Sequence, residues 1–182
     1  MYSLEDIGRY TMKYRPEGLI VDTNILLLFL VGNYNKELIE KCELFTNNNK
    51  KYCVDDFETL KKIFAYFRRL IITPQIIAEL SNLSITGGDI KSKETFHAYI
   101  NAVIDFLRSA EERHQKIESI WGMELKTLGS FGFTDMTMFE LANQTKMPIL
   151  TDEIRLFQYS NGKIPIIKFE YIKNRELQSV LG

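Results

Sequence analysis

Four stretches of this chain place a carboxylate where one is costly to keep without a partner. Asp22 lies between two apolar runs, Leu19–Val21 and Ile25–Val31. An ionised carboxylate buried there must be paired, or bound to a metal, to offset its lost hydration. Asp can also cap a following helix, and both readings stay open for Asp22. Asp152 and Glu153 follow the apolar stretch Pro148–Leu150 in the same way. Glu79 falls in the second turn of a helix that Thr73-Pro74 starts, directly after the short apolar run Leu70–Ile72. Asp135 opens a helix capped by Thr134, after the glycine-bearing stretch Gly129–Phe133.

Carboxylates gathered on one site repel and raise one another's pKa unless a cation joins them. An oxygen-only donor set selects hard divalent cations, Mg²⁺ or Mn²⁺, over zinc. Two such ions ~4 Å apart can activate water and stabilise the leaving oxygen of a phosphodiester. Other chemistries are poorly served. The two histidines, His97 and His114, read as surface or packing residues, and Cys42 and Cys53 lack metal-ligand spacing. No GxxxxGK phosphate loop is present.

The elements that must position these acids alternate. Leu19–Val21, Leu70–Ile72, Pro148–Leu150 and Ile164–Phe169 read as short buried strands. Helices are predicted from Ile25, over Lys36–Phe45, from Asp55 or Asp56 through Phe67, over Gln75–Leu83, and over Asp135–Gln144. A short one follows Ile154, stopped by Asn161-Gly162, and another ends the chain. Phe96–Met123 reads as one long helix or a bent pair whose charged middle, Arg108–Glu118, protrudes or faces solvent. This pattern predicts a three-layer α/β/α domain with a central, mainly parallel sheet. In such a sheet strand ends and the following helix starts share one edge, where acids distant in sequence can meet.

With 182 residues, 45% hydrophobic and 26% charged, one domain spanning 1–182 is expected, with residues 1–17 an N-terminal arm and 84–124 a helical insertion or extension. A net charge of −1 supplies no global attraction for nucleic acid. Binding of RNA would need a local basic patch, for which Lys61, Lys62, Arg68 and Arg69 are the candidates, provided they face the same cleft as Asp22. A solvated basic surface is the simpler account of them. The N-terminus has no secretory pattern and Ile25–Val31 is too short to span a bilayer, so a soluble cytoplasmic protein without a membrane partner is expected.

Taken in order, IVDTNILL at Ile20–Leu27, TPQIIAEL at Thr73–Leu80, FTDMTMFELA at Phe133–Ala142 and PILTDEIRL at Pro148–Leu156 resemble the motifs of PIN-domain ribonucleases. The resemblance covers the chain from about Gly18 to Phe169. It implies a PIN fold and a Mg²⁺- or Mn²⁺-dependent endoribonuclease that cuts RNA. It also implies Asp22, Glu79 and Asp135 as metal ligands, with Asn24 and Thr151 orienting the carboxylates. For the fourth acid, Asp152 is favoured by its shorter side chain beside the strand end. Glu153 is the alternative, since the family's last motif commonly has its acid two residues after the threonine. The setting implied is the toxin half of a toxin–antitoxin or defence pair, with an antitoxin protein and a second copy of the chain as candidate partners. A housekeeping RNA-processing nuclease and a non-catalytic PIN module that scaffolds an RNA-binding complex are the alternatives.

Overall fold

The computed structural model describes residues 12–41, 45, 52–86 and 93–173. Its centre is a five-stranded, all-parallel sheet, β1 (Leu19–Val21), β2 (Leu70–Ile72), β3 (Glu111–Glu112), β4 (Ile149–Thr151) and β5 (Ile166–Lys168), in the order β3-β2-β1-β4-β5. Ile20 registers with Ile71 on one side and Ile149 on the other. Helices flank the sheet: α1 (Thr23–Tyr34), α2 (Val54–Tyr66), α3 (Pro74–Thr86), α4 (Lys93–Ser109), α5 (Leu125–Thr145), α6 (Ile154–Ser160) and α7 (Phe169–Lys173). The expected α/β architecture is therefore the one observed. From β1 the chain first builds outward through β2 and β3, then returns to the other side of β1 to build β4 and β5. The order thus reverses between β1 and β4, and the crevice at their carboxyl ends is where open α/β sheets bind ligands.

β1 and β4 are buried throughout, and α1 is nearly so. Ile25, Leu26, Leu27, Leu28, Leu30 and Val31 are all buried, which covers every side of the helix. A helix apolar all round belongs inside, and α1 packs against α2, α3, α4 and β4 together. Its Phe29 ring lies 4.6 Å from Phe64 of α2 and 5.5 Å from Phe106 of α4, centroid to centroid. Gly32 lets α2 come close, because a Cβ there would stand 2.3 Å from the Phe57 ring. Asn35, in extended backbone, ends α1.

Several elements differ from the sequence expectation. The charged middle of Phe96–Met123 is largely exposed, as expected, but it is not a continuous helix: α4 ends at Ser109, and Glu111–Glu112 form the edge strand β3, a fifth strand where four were expected. An edge strand needs no apolar face and is protected by charge. Glu111 is held by Arg113 at 2.7 Å and Arg69 at 3.2 Å, and the Arg113 hydrogen bond foremost keeps its carboxyl below the usual range. Gly129–Phe133 is not a loop either. Leu125–Thr145 is helical on both sides of a break at Gly132, whose φ of +85° only glycine adopts readily. That break still restarts the helix next to Thr134, as expected. Of the helix expected over Lys36–Phe45, the first part is a 3₁₀ turn, Lys36–Leu38, capped by the Asn35 side chain, and Phe45 is helical; residues 42–44 lie outside the described residues. Most of the N-terminal arm, residues 87–92 of the expected 84–124 insertion and the tail beyond 173 also lie outside them. No described helix is long and apolar enough to cross a membrane.

Gly32→Ala should lower stability by about 1–2 kcal/mol, because overpacking against the buried Phe57 ring outweighs the gain in helix propensity. Gly129→Ala, where a Cβ meets nothing within 4 Å, should be neutral or stabilising. Chemical denaturation of the two variants beside the parent measures the contrast; equal effects would refute the close approach.

Candidate functional site at the carboxyl edge

Asp22 follows β1 directly and occupies the N-cap position of α1, yet its side chain makes no capping hydrogen bond. Its carboxylate is instead 5% exposed and accepts a 2.6 Å hydrogen bond from Thr151 Oγ1 at the end of β4. Thr151 is itself fully buried, and its Oγ1 accepts from the Glu153 backbone N–H at 2.9 Å. One hydroxyl therefore ties the ends of the two central strands and the start of the next turn. The helix-capping account of Asp22 does not explain this geometry.

Glu79 is brought to the same edge by α3, which starts straight after β2. Thr73 is buried, and its hydroxyl accepts from the Ile76 N–H at 3.4 Å, with Pro74 in the first turn. Thr23 in the first turn of α1 donates its hydroxyl to Glu79 Oε2 at 2.9 Å. Asp135 comes from the segment of α5 that restarts after Gly132, and α5 packs on α3. Burial, then the charges of Asp22, Glu79 and Glu153, push the Asp135 carboxyl up to about 7, with Arg155 acting weakly the other way. Four carboxylates from β1, α3, α5 and the turn after β4 thus share one field.

The two acids after β4 part company. Asp152 Oδ2 accepts from the Tyr52 hydroxyl at 2.8 Å, and its Oδ1 accepts from the Glu170 N–H in α7 at 2.8 Å. Asp152, the residue favoured from sequence, is thus engaged on both oxygens with partners outside the acid group. Glu153 is the one whose charge acts on Asp135. It caps α6 by accepting from the Arg155 N–H, and pairs with the Arg155 guanidinium at 3.0 Å. Arg155 also donates to the Ser130 carbonyl at 3.2 Å, linking the turn to α5. Burial, then Asp152, Asp22 and Asp56, raise the Tyr52 hydroxyl pKa far above its ordinary value, so it remains a donor.

Of the supports expected from sequence, Thr151 holds Asp22, while Asn24 is half-buried beside Thr23 in the first turn of α1. Sequence reasoning misses Thr23 and Tyr52, because short-range patterns such as VDTN at Val21–Asn24 carry no signal for partners 56 and 100 residues away. The basic candidates are not brought to the acids. Arg68 and Arg69 precede β2 and so lie at the opposite, amino edge of the sheet, where Arg69 is bound to Glu111 and to the Glu17 carbonyl. Lys61 and Lys62 are exposed on the later half of α2, and Lys61 pairs with Glu58 at 3.5 Å.

The donor chemistry of Asp22, Glu79, Asp135 and Glu153 suits a hard divalent cation, and burial together with the neighbouring carboxylates raises the Asp135 pKa. Among the described residues, no group of three acidic, histidine or cysteine side chains forms a ready metal cage. The acids share a field without a closed coordination sphere, and ligation would need side-chain rotation. Comparison with protein-family models and with curated proteins finds no match to this chain. The class that fold and site define is an α/β domain with a five-stranded parallel sheet and an acidic crevice at its switch point.

Because the Asp135 carboxyl is raised from 3.8 to about 7, the metal-free fold should lose stability as pH rises through that window. Below about pH 4 the group is protonated in both folded and unfolded chains and the penalty is absent. Asp135→Asn should therefore match the parent at pH 4 and exceed it by roughly 1–3 kcal/mol at pH 8 in EDTA. Thermal melts across pH check this; a variant no more stable than the parent at pH 8 would contradict the crowding of charge.

Proposed function

We propose that this protein is a metal-dependent endoribonuclease of the PIN type. The observation that carries the reading is the gathering of Asp22, Glu79, Asp135 and Glu153 at the carboxyl edge, next to the switch point between β1 and β4. The motif resemblance supports it, since its four pieces fall on β1–α1, α3, α5 and β4–α6 in that order.

In this reading Asp22, Glu79, Asp135 and Glu153 hold Mg²⁺ or Mn²⁺. When bound, the cation supplies a nucleophile at neutral pH and charge stabilisation on the leaving oxygen of a phosphodiester. The chain's own residues prepare the site. Thr151 fixes one oxygen of Asp22, Thr23 fixes one oxygen of Glu79, and Arg155 restrains Glu153. These partners limit the rotation each carboxylate must undergo to reach a shared ion. Asp135, protonated in part at neutral pH, loses its proton when a cation joins the group. A cytoplasmic toxin or defence effector, held in check by an antitoxin protein, is the setting this reading favours.

The open spacing of the acids favours one other reading, a non-catalytic PIN module that scaffolds an RNA-binding complex. Cleavage of labelled RNA by purified protein in Mg²⁺, Mn²⁺ or EDTA separates the two. Cutting should require metal and should fall to background in Asp22→Asn and Asp135→Asn, with both variants folded. Absence of cutting by folded parent protein, together with RNA binding, would favour the scaffold.

A further inference from the structure

Tyr52 lies just before α2, far in sequence from every acid of the site. Its side chain is buried, edge-on to Phe45 at 5.1 Å and 6.3 Å from the Phe169 ring. The hydroxyl reaches past these rings to Asp152. Phe169 and Glu170 begin α7, and the Glu170 N–H is one of the helix-start donors that no intrahelical carbonyl satisfies. Asp152 thus closes a three-part joint: Tyr52 before α2, the turn after β4, and the first turn of α7.

Only two residues, Asp152 and Glu153, separate β4 from α6. Successive residues in extended backbone point to opposite sides, so one acid can face the crevice while the other faces α7. The hydrogen bonds to Asp152 decide which. With Asp152 anchored on both oxygens, Glu153 is left toward Asp135, its N–H on Thr151 Oγ1, which in turn holds Asp22. We propose that Tyr52 is a positioning residue: by holding Asp152 against α7, it sets the turn after β4 so that Glu153, and not Asp152, stands on the side of Asp135. The consequence for metal binding rests on the nuclease reading; the clamp itself does not.

Tyr52→Phe keeps the ring in its aromatic setting and removes only the donor. Asp152→Asn keeps an acceptor for the Glu170 N–H and an amide that donates to the Tyr52 oxygen. The first measurement is amide hydrogen exchange of the full chain in EDTA. Tyr52→Phe should speed exchange at Glu153 and Glu170 by about tenfold or more, with Ile149 and Leu150 unchanged, whereas Asp152→Asn should leave all four near the parent rates. An unchanged Glu153 amide in Tyr52→Phe would overturn the proposal, and so would equal acceleration across β4, which would mark a general loss of stability. The second is Mn²⁺ titration by calorimetry. Tyr52→Phe should weaken binding about tenfold, Asp152→Asn far less, and Glu153→Gln more than either. Asp152→Asn as damaging as Glu153→Gln would make Asp152 a ligand and overturn the proposal. Parent protein that binds no Mn²⁺ would sink the nuclease reading, while the exchange rates alone would still decide the clamp.

Discussion

The hydrogen bond from Thr151 to Asp22 is the constraint on which the rest of this structure turns. It joins the carboxyl ends of β1 and β4, the two central strands, at the point where the strand order reverses. A carboxylate this deep loses most of its hydration, and a charge-assisted hydrogen bond replaces part of it. The same oxygen atom of Thr151 receives the Glu153 N–H. Strand pairing, the turn into α6 and the placement of two acids are therefore one arrangement.

Around that joint, stability and chemistry pull in opposite directions. β1, β4 and α1 are buried and almost wholly apolar, which supplies the burial that a domain of this size depends on. The crevice at their edge gathers like charges, with Asp135 driven toward neutrality by burial first and by its neighbours' charges second. Such a concentration weakens the fold at neutral pH, and it persists because the elements carrying it are fixed by packing elsewhere. α1, caged by α2, α3 and α4, sets where Asp22 and Thr23 stand; the α3–α5 contact sets Glu79 against Asp135. Carboxylates perturbed by burial and by one another's charge mark a candidate functional site.

The parts of the fold that were legible in sequence are those built by local patterns. Leu19–Val21, Leu70–Ile72 and the run before Asp152 are short β-branched or aliphatic stretches with clear boundaries, and each is a strand. Thr73-Pro74 starts a helix as its chemistry requires, and Asn161-Gly162 ends one with both residues at positive φ. β3 escapes because its two residues are glutamates: the edge strand is held by pairing with Ile71 and Ile72, by Arg69 from another segment and by the adjacent Arg113, not by its own periodicity. The helix through Gly129–Phe133 escaped because glycine-rich composition suggested a loop, while only Gly132 departs from helical geometry.

By itself, the sequence determined that Asp22 interrupts an apolar core segment, that acids follow strands or begin helices, and that alternation favours a parallel sheet. Strand direction then sends Asp22, Glu79, Asp135 and the Asp152–Glu153 pair to one edge, because parallel strands share a carboxyl end. Tertiary structure alone decided which of the paired acids enters the crevice and which is anchored outside it. Adjacent residues have nearly identical sequence context, and the difference between them lies in Tyr52, Glu170 and Asp135, none of them a close neighbour along the chain. The same holds for Thr23, which needed the packing of α1 beside α3 to find Glu79. Local propensity chooses elements; only the completed packing chooses the partners of a polar side chain, since each partner must arrive from a separate part of the chain.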